Sequence, residues 1–192
     1  MSSAESSNLY DAKVDFSNIY NQPDPRHYYR VLGELGYEIP AHGTAPFELL
    51  LDELGGRDGK TVLDLCCSYG VNAALLNYDV ELAELFEHYA GFDASAPSEA
   101  LMLADAAWFG ERRRDDAVSL VGFDAADRAV HYATAVGLLD RGLIGDLENE
   151  ELDAAQADVL GTIDLVTVTG AVGYIGEQTF RTVVEAAGDD PP

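Results

Sequence analysis

The clearest candidate for a ligand site lies between Thr61 and Gly70, where a β-branched apolar run ends in an acid and then in small side chains. The run closes on Asp64, and Cys66, Ser68 and Gly70 follow at alternate positions. Small side chains at a turn let a ligand approach the backbone closely. Because a helical pattern starts again after the turn, the stretch predicts the opening of a nucleotide-binding βαβ unit, with its ligand where the strand ends.

The sequence Asp64-Leu65-Cys66-Cys67-Ser68-Tyr69-Gly70 resembles the first motif of the class I S-adenosylmethionine-dependent methyltransferases, roughly Asp-x-Gly-x-Gly-x-Gly. Gly70 keeps one of the three glycines, and Cys66 and Ser68 stand at the other two places. The resemblance implies that Asp64, Ser68 and Gly70 hold the methionine part of S-adenosylmethionine, with Cys66 in the same loop.

The segment before this motif extends the resemblance. Residues 46–54 predict a helix with Pro46 in its first turn and Gly55-Gly56 at its end, followed by a turn into the first strand. Class I methyltransferases use such a helix, turn and strand just before their first motif.

In that family, an acidic residue at the end of the second strand accepts hydrogen bonds from the cofactor ribose. Asp93 and Asp124 both offer a carboxylate for this role. We prefer Asp124 because a strand pattern, 117–123, precedes it and a helical pattern, 125–139, follows it. The residues before Asp93 instead continue an amphipathic helix.

The third and fourth strands of the resemblance end in further candidate residues. The apolar run 142–147 contains Asp146 and Leu147, which would accept from the adenine amino group and pack on the base. The alternative for Asp146 is that it caps or solvates a turn. The run 162–170 resembles the fourth strand and motif, where substrate and methyl donor meet, and it places Thr169 at the cofactor.

Residues 16–60 are predicted to form a helical segment ahead of the sheet, after a loose tail over 1–15. We call residues 16–60 the lid segment, because many class I methyltransferases place such a segment over the ligand. In that role Tyr20, Tyr28 or Arg26 could contact the carboxylate of the cofactor. The alternative is a packing arm whose tyrosines cover the domain.

A helical insertion is predicted over about 78–116, between the first helix of the 61–192 domain and its second strand. Residues 81–89 and 97–113 carry apolar side chains at helical spacing. The insertion ends in Arg112-Arg113-Arg114, which we interpret as a solvated helix end rather than an anion site.

Composition narrows the classes of partner. The net charge is −24, from 35 acidic and 11 basic residues, and the field of such a chain repels phosphate backbones and anionic lipid. A small diffusible substrate is therefore expected, with no nucleic acid and no membrane as partner. An acidic surface poor in lysine can also reflect adaptation to high salt. The polar first residues lack the apolar core of a signal peptide, which favours a cytoplasmic protein.

These observations predict an α/β fold: a twisted parallel sheet with helices on both faces, corresponding to the first four strands of a class I methyltransferase core. The fourth strand would be an edge that invites a homodimer or marks a truncated chain. The implied function is methyl transfer from S-adenosylmethionine to an oxygen, nitrogen or carbon nucleophile of a small molecule.

Two other hypotheses stay open. One is a catalytically inactive or truncated methyltransferase-like binding module, and the other is an NAD-dependent dehydrogenase, whose loop needs glycines where Cys66 and Ser68 stand. No catalytic residue and no metal ligand is assigned. His27, His42 and His131 are possible general bases, although each is readily explained as structural.

Overall fold

The computed structural model describes residues 17–171 and 173–187, and within them the chain has an α/β fold around one sheet. The four strands are all parallel, in the order β3-β2-β1-β4. Their bounds are β1 Thr61–Leu65, β2 Ser119–Asp124, β3 Arg141–Ile144 and β4 Leu165–Thr167. The predicted α/β class with a parallel sheet is confirmed, and β4 is an edge strand of the described sheet, as expected; the correspondence to a methyltransferase core stays a prediction.

Helices pack on both faces of this sheet. In chain order they are α1 Ser17–Tyr20, α2 Arg26–Glu34, α3 Ile39–Glu53, α4 Val71–Asn77, α5 Leu82–Ala90, α6 Ser98–Gly110, α7 Asp127–Ala135, α8 Ala154–Leu160 and α9 Glu177–Ala187. Successive strand residues point to opposite faces, so that Val62 joins the core under α4 and α7 and Leu63 joins the core under α8 and α9. The chain thus buries two apolar layers.

Close packing of the segment after α7 and of the loop after β1 requires a glycine in β2. A Cβ atom on Gly122 would lie 2.5 Å from Cδ1 of Leu139 and 2.7 Å from Sγ of Cys67. Both distances are shorter than side-chain carbons tolerate. Gly122 therefore lets the segment after α7 and the loop after β1 approach the same strand, which helps to define the edge at which the strands end.

The lid segment is helical, but one of its helices starts earlier than predicted. The expected helix 26–35 is present as α2. The helix expected from Pro46 begins instead at Ile39, so Pro46 lies inside α3 and Pro40 occupies its first turn. His42 and Pro46 are both exposed, so water can bond the His42 carbonyl that the missing N–H of Pro46 leaves without a helical partner.

The predicted insertion is present as α5 and α6. Its end is joined to the residues after α4 by an isolated bridge between Tyr78 and Arg113. The guanidinium of Arg112 lies 4.2 Å from the Trp108 ring centroid, Arg113 donates to Tyr78, and Arg114 pairs with Glu48 and Asp116. These contacts agree with the interpretation of the arginine cluster as structural.

Two helices differ from their predicted limits or faces. The acidic stretch 148–160 predicts one helix, but the helix begins only at Ala154, capped by Asp153, whose carboxylate accepts from the backbone N–H of Gln156. The spacing of Phe180, Val183, Val184 and Ala187 predicts the inward face of the last helix. In α9 Val183 is buried as expected, together with Thr179, but Phe180 and Val184 are 37% and 48% exposed. No helix among the described residues is long and apolar enough to span a membrane.

Candidate functional site

A cavity of about 250 Å³ lies where the strands end. It is enclosed by the loop after β1, the end of β2, the segment after β4 and the lid segment. Larger clefts of about 610 and 720 Å³ run along α2 and α5, but neither receives a residue from a loop that follows a strand. In open parallel sheets, ligands bind outside the carboxyl ends of the strands, so the smaller cavity is the candidate site.

The loop after β1 has an unusual backbone. Cys66 and Ser68 adopt φ angles of +58° and +47°, and Gly70 follows with +79°. The left-handed region favours glycine, and other residues enter it at a cost. All three positions at which the family motif has glycine are therefore left-handed, although two of them carry side chains. Cys66 and Ser68 both line the cavity.

Ser68 contributes a hydroxyl without a partner. Its Oγ atom is buried and makes no hydrogen bond within the described structure, while its backbone N–H donates to Oδ2 of Asp124 at 2.8 Å. A buried hydroxyl without a partner costs free energy, and a ligand that bonds to it would recover that cost. Ser68 is accordingly the residue of the loop most directly suited to hold a polar ligand.

Asp64 lies beneath the cavity and does not line it. The side chain is fully buried, its Oδ1 accepts from Nδ2 of Asn72 at 2.7 Å, and its Oδ2 has no partner. Burial raises the pKa of Asp64 to about 7, against the hydrogen bonds from Asn72 and Thr167 that lower it. Thr169 in turn donates to Oδ1 of Asn72 at 2.8 Å, so Asp64 supports the cavity wall through a chain of hydrogen bonds.

Asp124 occupies the position that the sequence analysis preferred. It ends β2, lines the cavity, and accepts from the backbone N–H groups of Ser68 and Ala126, each at 2.8 Å. Burial raises the pKa of Asp124, and the backbone donors partly oppose that shift. Asp93 is exposed and accepts from the N–H and hydroxyl of Ser95, away from the cavity.

The lid segment covers the cavity with tyrosines. This arrangement agrees with the hypothesis that the segment lies over a ligand. Tyr20, Tyr28 and Tyr37 line the side facing the sheet ends. A Cβ atom on Gly170, whose φ is +73°, would collide with the hydroxyl of Tyr37. Gly170 therefore allows the segment after β4 and the lid segment to meet over the cavity.

Arg26 does not reach the cavity. Its guanidinium binds both carboxylate oxygens of Asp24 and the backbone carbonyls of Asp93 and Ala96. Arg26 therefore connects the lid segment to the insertion. Of the three lid residues predicted to contact the cofactor carboxylate, Tyr20 and Tyr28 line the cavity.

The histidines proposed as possible bases also lie elsewhere. His27 contacts Arg30, His42 is exposed beside Glu38, and His131 bonds to the backbone carbonyl of Asp127. None of the three lines the cavity.

Besides Asp64, three of the predicted cofactor residues are not brought to the cavity wall. Gly70 packs against α7. Asp146 accepts from the N–H of Glu148 and the amide of Asn149, as its turn-capping alternative describes, and Leu147 is buried in the core under α8 and α9. The assignment of Asp146 and Leu147 to adenine stays a prediction.

Sequence reasoning missed several residues of the site. Asn72, Tyr37 and Tyr174 line the cavity with Thr169, but no motif singled them out as ligand residues. Asn72 stands at the start of the mainly apolar helix 71–77 that follows the glycine-like loop, and its polarity there was the available signal. Tyr174 lies in the segment 170–175, which the resemblance implies is the loop near the substrate, although no residue of that loop was singled out. For Tyr37 the sequence offers no such signal, because it reaches the cavity through the packing of distant segments.

Comparison with protein-family models, with curated proteins and with solved structures finds no match to this chain.

Proposed function

We propose that this chain binds S-adenosylmethionine in the cavity at the strand ends and transfers its methyl group to a small-molecule nucleophile. The observation that carries the proposal is the left-handed backbone at Cys66, Ser68 and Gly70, beside a cavity that also receives Asp124. Cys66 and Ser68 stand where the family motif has glycine, and the loop still has the left-handed backbone that glycine favours. This backbone shape lets a ligand approach the main chain closely.

The described residues offer suitable partners for the polar parts of this cofactor. Asp124 retains acceptor capacity for ribose hydroxyls beyond its two backbone donors. The partnerless Oγ of Ser68 can bond to the methionine end, and burial raises the pKa of Tyr20, which keeps its hydroxyl protonated as a donor to the carboxylate. Thr169 and Cys66 would complete the wall.

The size of the cavity sets a condition on binding. Its 250 Å³ is somewhat below the roughly 300–1,000 Å³ typical of small-molecule sites. A ligand of nucleoside size or larger would therefore require the lid tyrosines to move outward. Tyr174, which lines the cavity from the segment after β4, is 59% exposed and could also move at little cost in buried surface.

The chemistry of such a site requires mainly alignment. When bound, S-adenosylmethionine supplies a methyl group already activated by its sulfonium, so the protein has to orient a nucleophile and exclude water. Residues of the lid segment and of the segment after β4 enclose the cavity and would perform both tasks.

Two competing hypotheses make different predictions. A nicotinamide dehydrogenase would share Asp124 and the parallel sheet, but Cys66 and Ser68 add side chains where a dinucleotide needs glycine. An inactive binding module would bind the cofactor without turnover.

Thermal unfolding tests the proposal directly. We expect S-adenosylmethionine or S-adenosylhomocysteine at about a hundred times its dissociation constant to stabilise the chain by about 2.7 kcal/mol, which is a rise in Tm of roughly 5–10 °C. NAD at the same concentration should give no shift. Detection of methyl transfer in the same preparation would then separate an enzyme from a binding module.

A matched pair of variants makes this test specific. Asp124→Asn removes the cavity carboxylate, and Asp93→Asn removes the exposed alternative acid. Asp124→Asn should abolish most of the shift, while Asp93→Asn should keep it. Equal shifts in both variants, or no shift in the unmodified chain, would contradict the proposed site.

A further inference from the structure

The side of the cavity opposite the sheet is aromatic. Tyr20 and Tyr28 meet edge to face with ring centroids 5.6 Å apart, and Tyr37 and Tyr174 complete the lining near Gly170. The pKa of Tyr37 is raised to about 12 by burial and by its neighbours Tyr20 and Tyr174. Rings from the lid segment and from the segment after β4 therefore converge on one space.

The charge of this space is negative. Among the described residues that line the cavity, Asp124 is the one carboxylate, and there is no Lys, Arg or His. Aromatic faces attract cations, most strongly where water is excluded. Beside the rings of Tyr37 and Tyr174 a cationic ligand group is therefore favoured over a neutral or anionic one, while the cofactor carboxylate would lie at the Tyr20 hydroxyl that donates to it.

Among the described residues that line the cavity, no carboxylate or histidine is left over to act as general base for a hydroxyl substrate. The three candidate histidines lie elsewhere, and the Asp124 carboxylate accepts two backbone N–H groups and is assigned by the proposed function to the ribose hydroxyls. An alcohol or phenol would need such a base, whereas an amine with an unprotonated nitrogen needs none. An acceptor that is already anionic, such as a carboxylate, would be repelled by Asp124.

We propose, building on the proposed function, that the methyl acceptor is the nitrogen of a small-molecule amine held against Tyr37 and Tyr174. A bound ammonium substrate first releases one proton to water at the open side. The nitrogen lone pair then forms the new N–C bond, while the S–C bond breaks with its electrons passing to sulfur. The product leaves as a methylated ammonium ion, and a thioether remains.

A binding experiment on the full chain tests this in two steps. Calorimetry first establishes whether S-adenosylhomocysteine binds. With that ligand saturating, choline, its neutral isostere 3,3-dimethylbutanol and the anion 3,3-dimethylbutyrate are then titrated at one ionic strength. We expect choline to bind roughly five- to thirty-fold more tightly than the neutral isostere, and the anion to bind most weakly.

Substitutions in the cavity wall distinguish the aromatic face from the hydroxyl. Tyr174 is 59% exposed, so both of its variants should fold. Tyr174→Phe should keep the preference for choline, and Tyr174→Leu should reduce it several-fold, with Tyr37→Phe and Tyr37→Leu as a second pair. Phe180→Leu, on the exposed face of α9 and outside the cavity, is the control and should change nothing.

The outcomes separate the two proposals. If S-adenosylhomocysteine binds but choline shows no advantage over its neutral isostere, the amine acceptor is wrong and the methyltransferase site stands. If S-adenosylhomocysteine does not bind, both are wrong. A loss of choline preference in Tyr174→Phe as large as in Tyr174→Leu would also overturn the aromatic site.

Discussion

Ser68 combines two unfavourable features at one residue. Its backbone is left-handed, with a φ of +47°, and its buried hydroxyl has no partner. A left-handed conformation costs a non-glycine residue roughly 1–2 kcal/mol, and an unsatisfied buried hydroxyl costs about 1–3 kcal/mol. Such costs concentrate where a ligand binds, which agrees with the place of Ser68 in the cavity wall.

We predict that Ser68→Gly makes the free chain more stable by roughly 1–3 kcal/mol, after allowing for the flexibility that glycine adds to the unfolded state. Urea unfolding measures this change. Ser68→Ala is the matched control, because it removes the hydroxyl and keeps the left-handed Cβ, so it should gain less. Both variants should bind S-adenosylmethionine more weakly. A destabilised Ser68→Gly would show that its hydroxyl has a structural partner.

Asp64 should make stability depend on pH. The pKa of an unperturbed aspartate, as in the unfolded chain, is 3.8, and the pKa of Asp64 in the folded chain is about 7. Below about pH 4 both states hold the proton. Between about pH 4 and 7 only the folded state holds it, so the free energy of unfolding falls as pH rises, by up to roughly 4 kcal/mol, and levels off above the folded pKa.

Asp64→Asn tests this dependence, because an amide resembles the protonated acid and cannot ionise. We expect the stability difference between Asp64→Asn and the unmodified chain to increase in favour of the variant from pH 4 to pH 7.5. Chemical denaturation across that range measures the difference and cancels the contributions of the other acids. A difference that stays constant with pH would contradict an upward-shifted pKa.

At the scale of elements, a buried polar network fastens the insertion to the sheet. The carboxylate of Asp105 on α6 contacts Nε2 of His88 at 2.7 Å and accepts from the hydroxyl of Tyr132 on α7. The Tyr132 hydroxyl also contacts that of Tyr89 on α5 at 2.8 Å. Because Asp105 is fully buried, each of its partners matters for docking α5 and α6.

Removal of the hydroxyl from Tyr132 and from Tyr89 should lower the free energy of unfolding by different amounts. Tyr132→Phe leaves one carboxylate oxygen of Asp105 without its hydroxyl donor, and we expect it to lower the free energy of unfolding by about 1–3 kcal/mol. Tyr89→Phe leaves the bond between Tyr132 and Asp105 intact and should cost less. Denaturant unfolding compares them, and an equal cost for the two would argue against a network centred on Asp105.

Helices show where local patterns predict well. The spacing of apolar residues located α5, α6 and α7, because each buries one face of a helix against the same core. The start of α2 was indicated instead by Pro23 and Pro25, which disfavour a helix before them. The start of α3 was wrong because Pro46 fits a first turn, yet an exposed helix interior also tolerates it. The inward face of α9 was wrong in part because the helix turns Thr179 and Val183 toward the core, and Phe180 and Val184, each the next residue along, then face outward.

At the scale of the whole molecule, β4 is an edge of the described sheet, and helices on the two faces of that sheet carry exposed apolar side chains. Leu50 and Leu54 of α3 are 46% and 41% exposed, and Phe180 and Val184 lie exposed on α9, which packs on the opposite face of the sheet. An edge strand offers unpaired backbone groups to another strand. A homodimer through this edge, one of the two alternatives that the sequence analysis raised, stays a prediction.

We expect the chain to dimerise through this edge, with the dimer strengthening at higher salt because screening reduces repulsion between copies of charge −24. Light scattering after size exclusion measures the mass. Val184→Glu should give monomers, while Leu103→Glu should not, since Leu103 is 76% exposed on α6 and away from the edge. A monomer at every salt concentration would contradict the edge dimer.

The sequence alone determined the α/β class, the strand that ends at the loop of Cys66 and Ser68, and the choice of Asp124 over Asp93. Hydrophobic periodicity and turn residues act over a few positions, so these features can be inferred locally. Only the tertiary structure decided that Asp64 is buried beneath the cavity, that Arg26 binds Asp24, and that tyrosines from both ends of the chain line one space. Each of those outcomes depends on contacts between segments far apart in sequence, such as the hydrogen bond from Thr169 to Asn72, which no local pattern encodes.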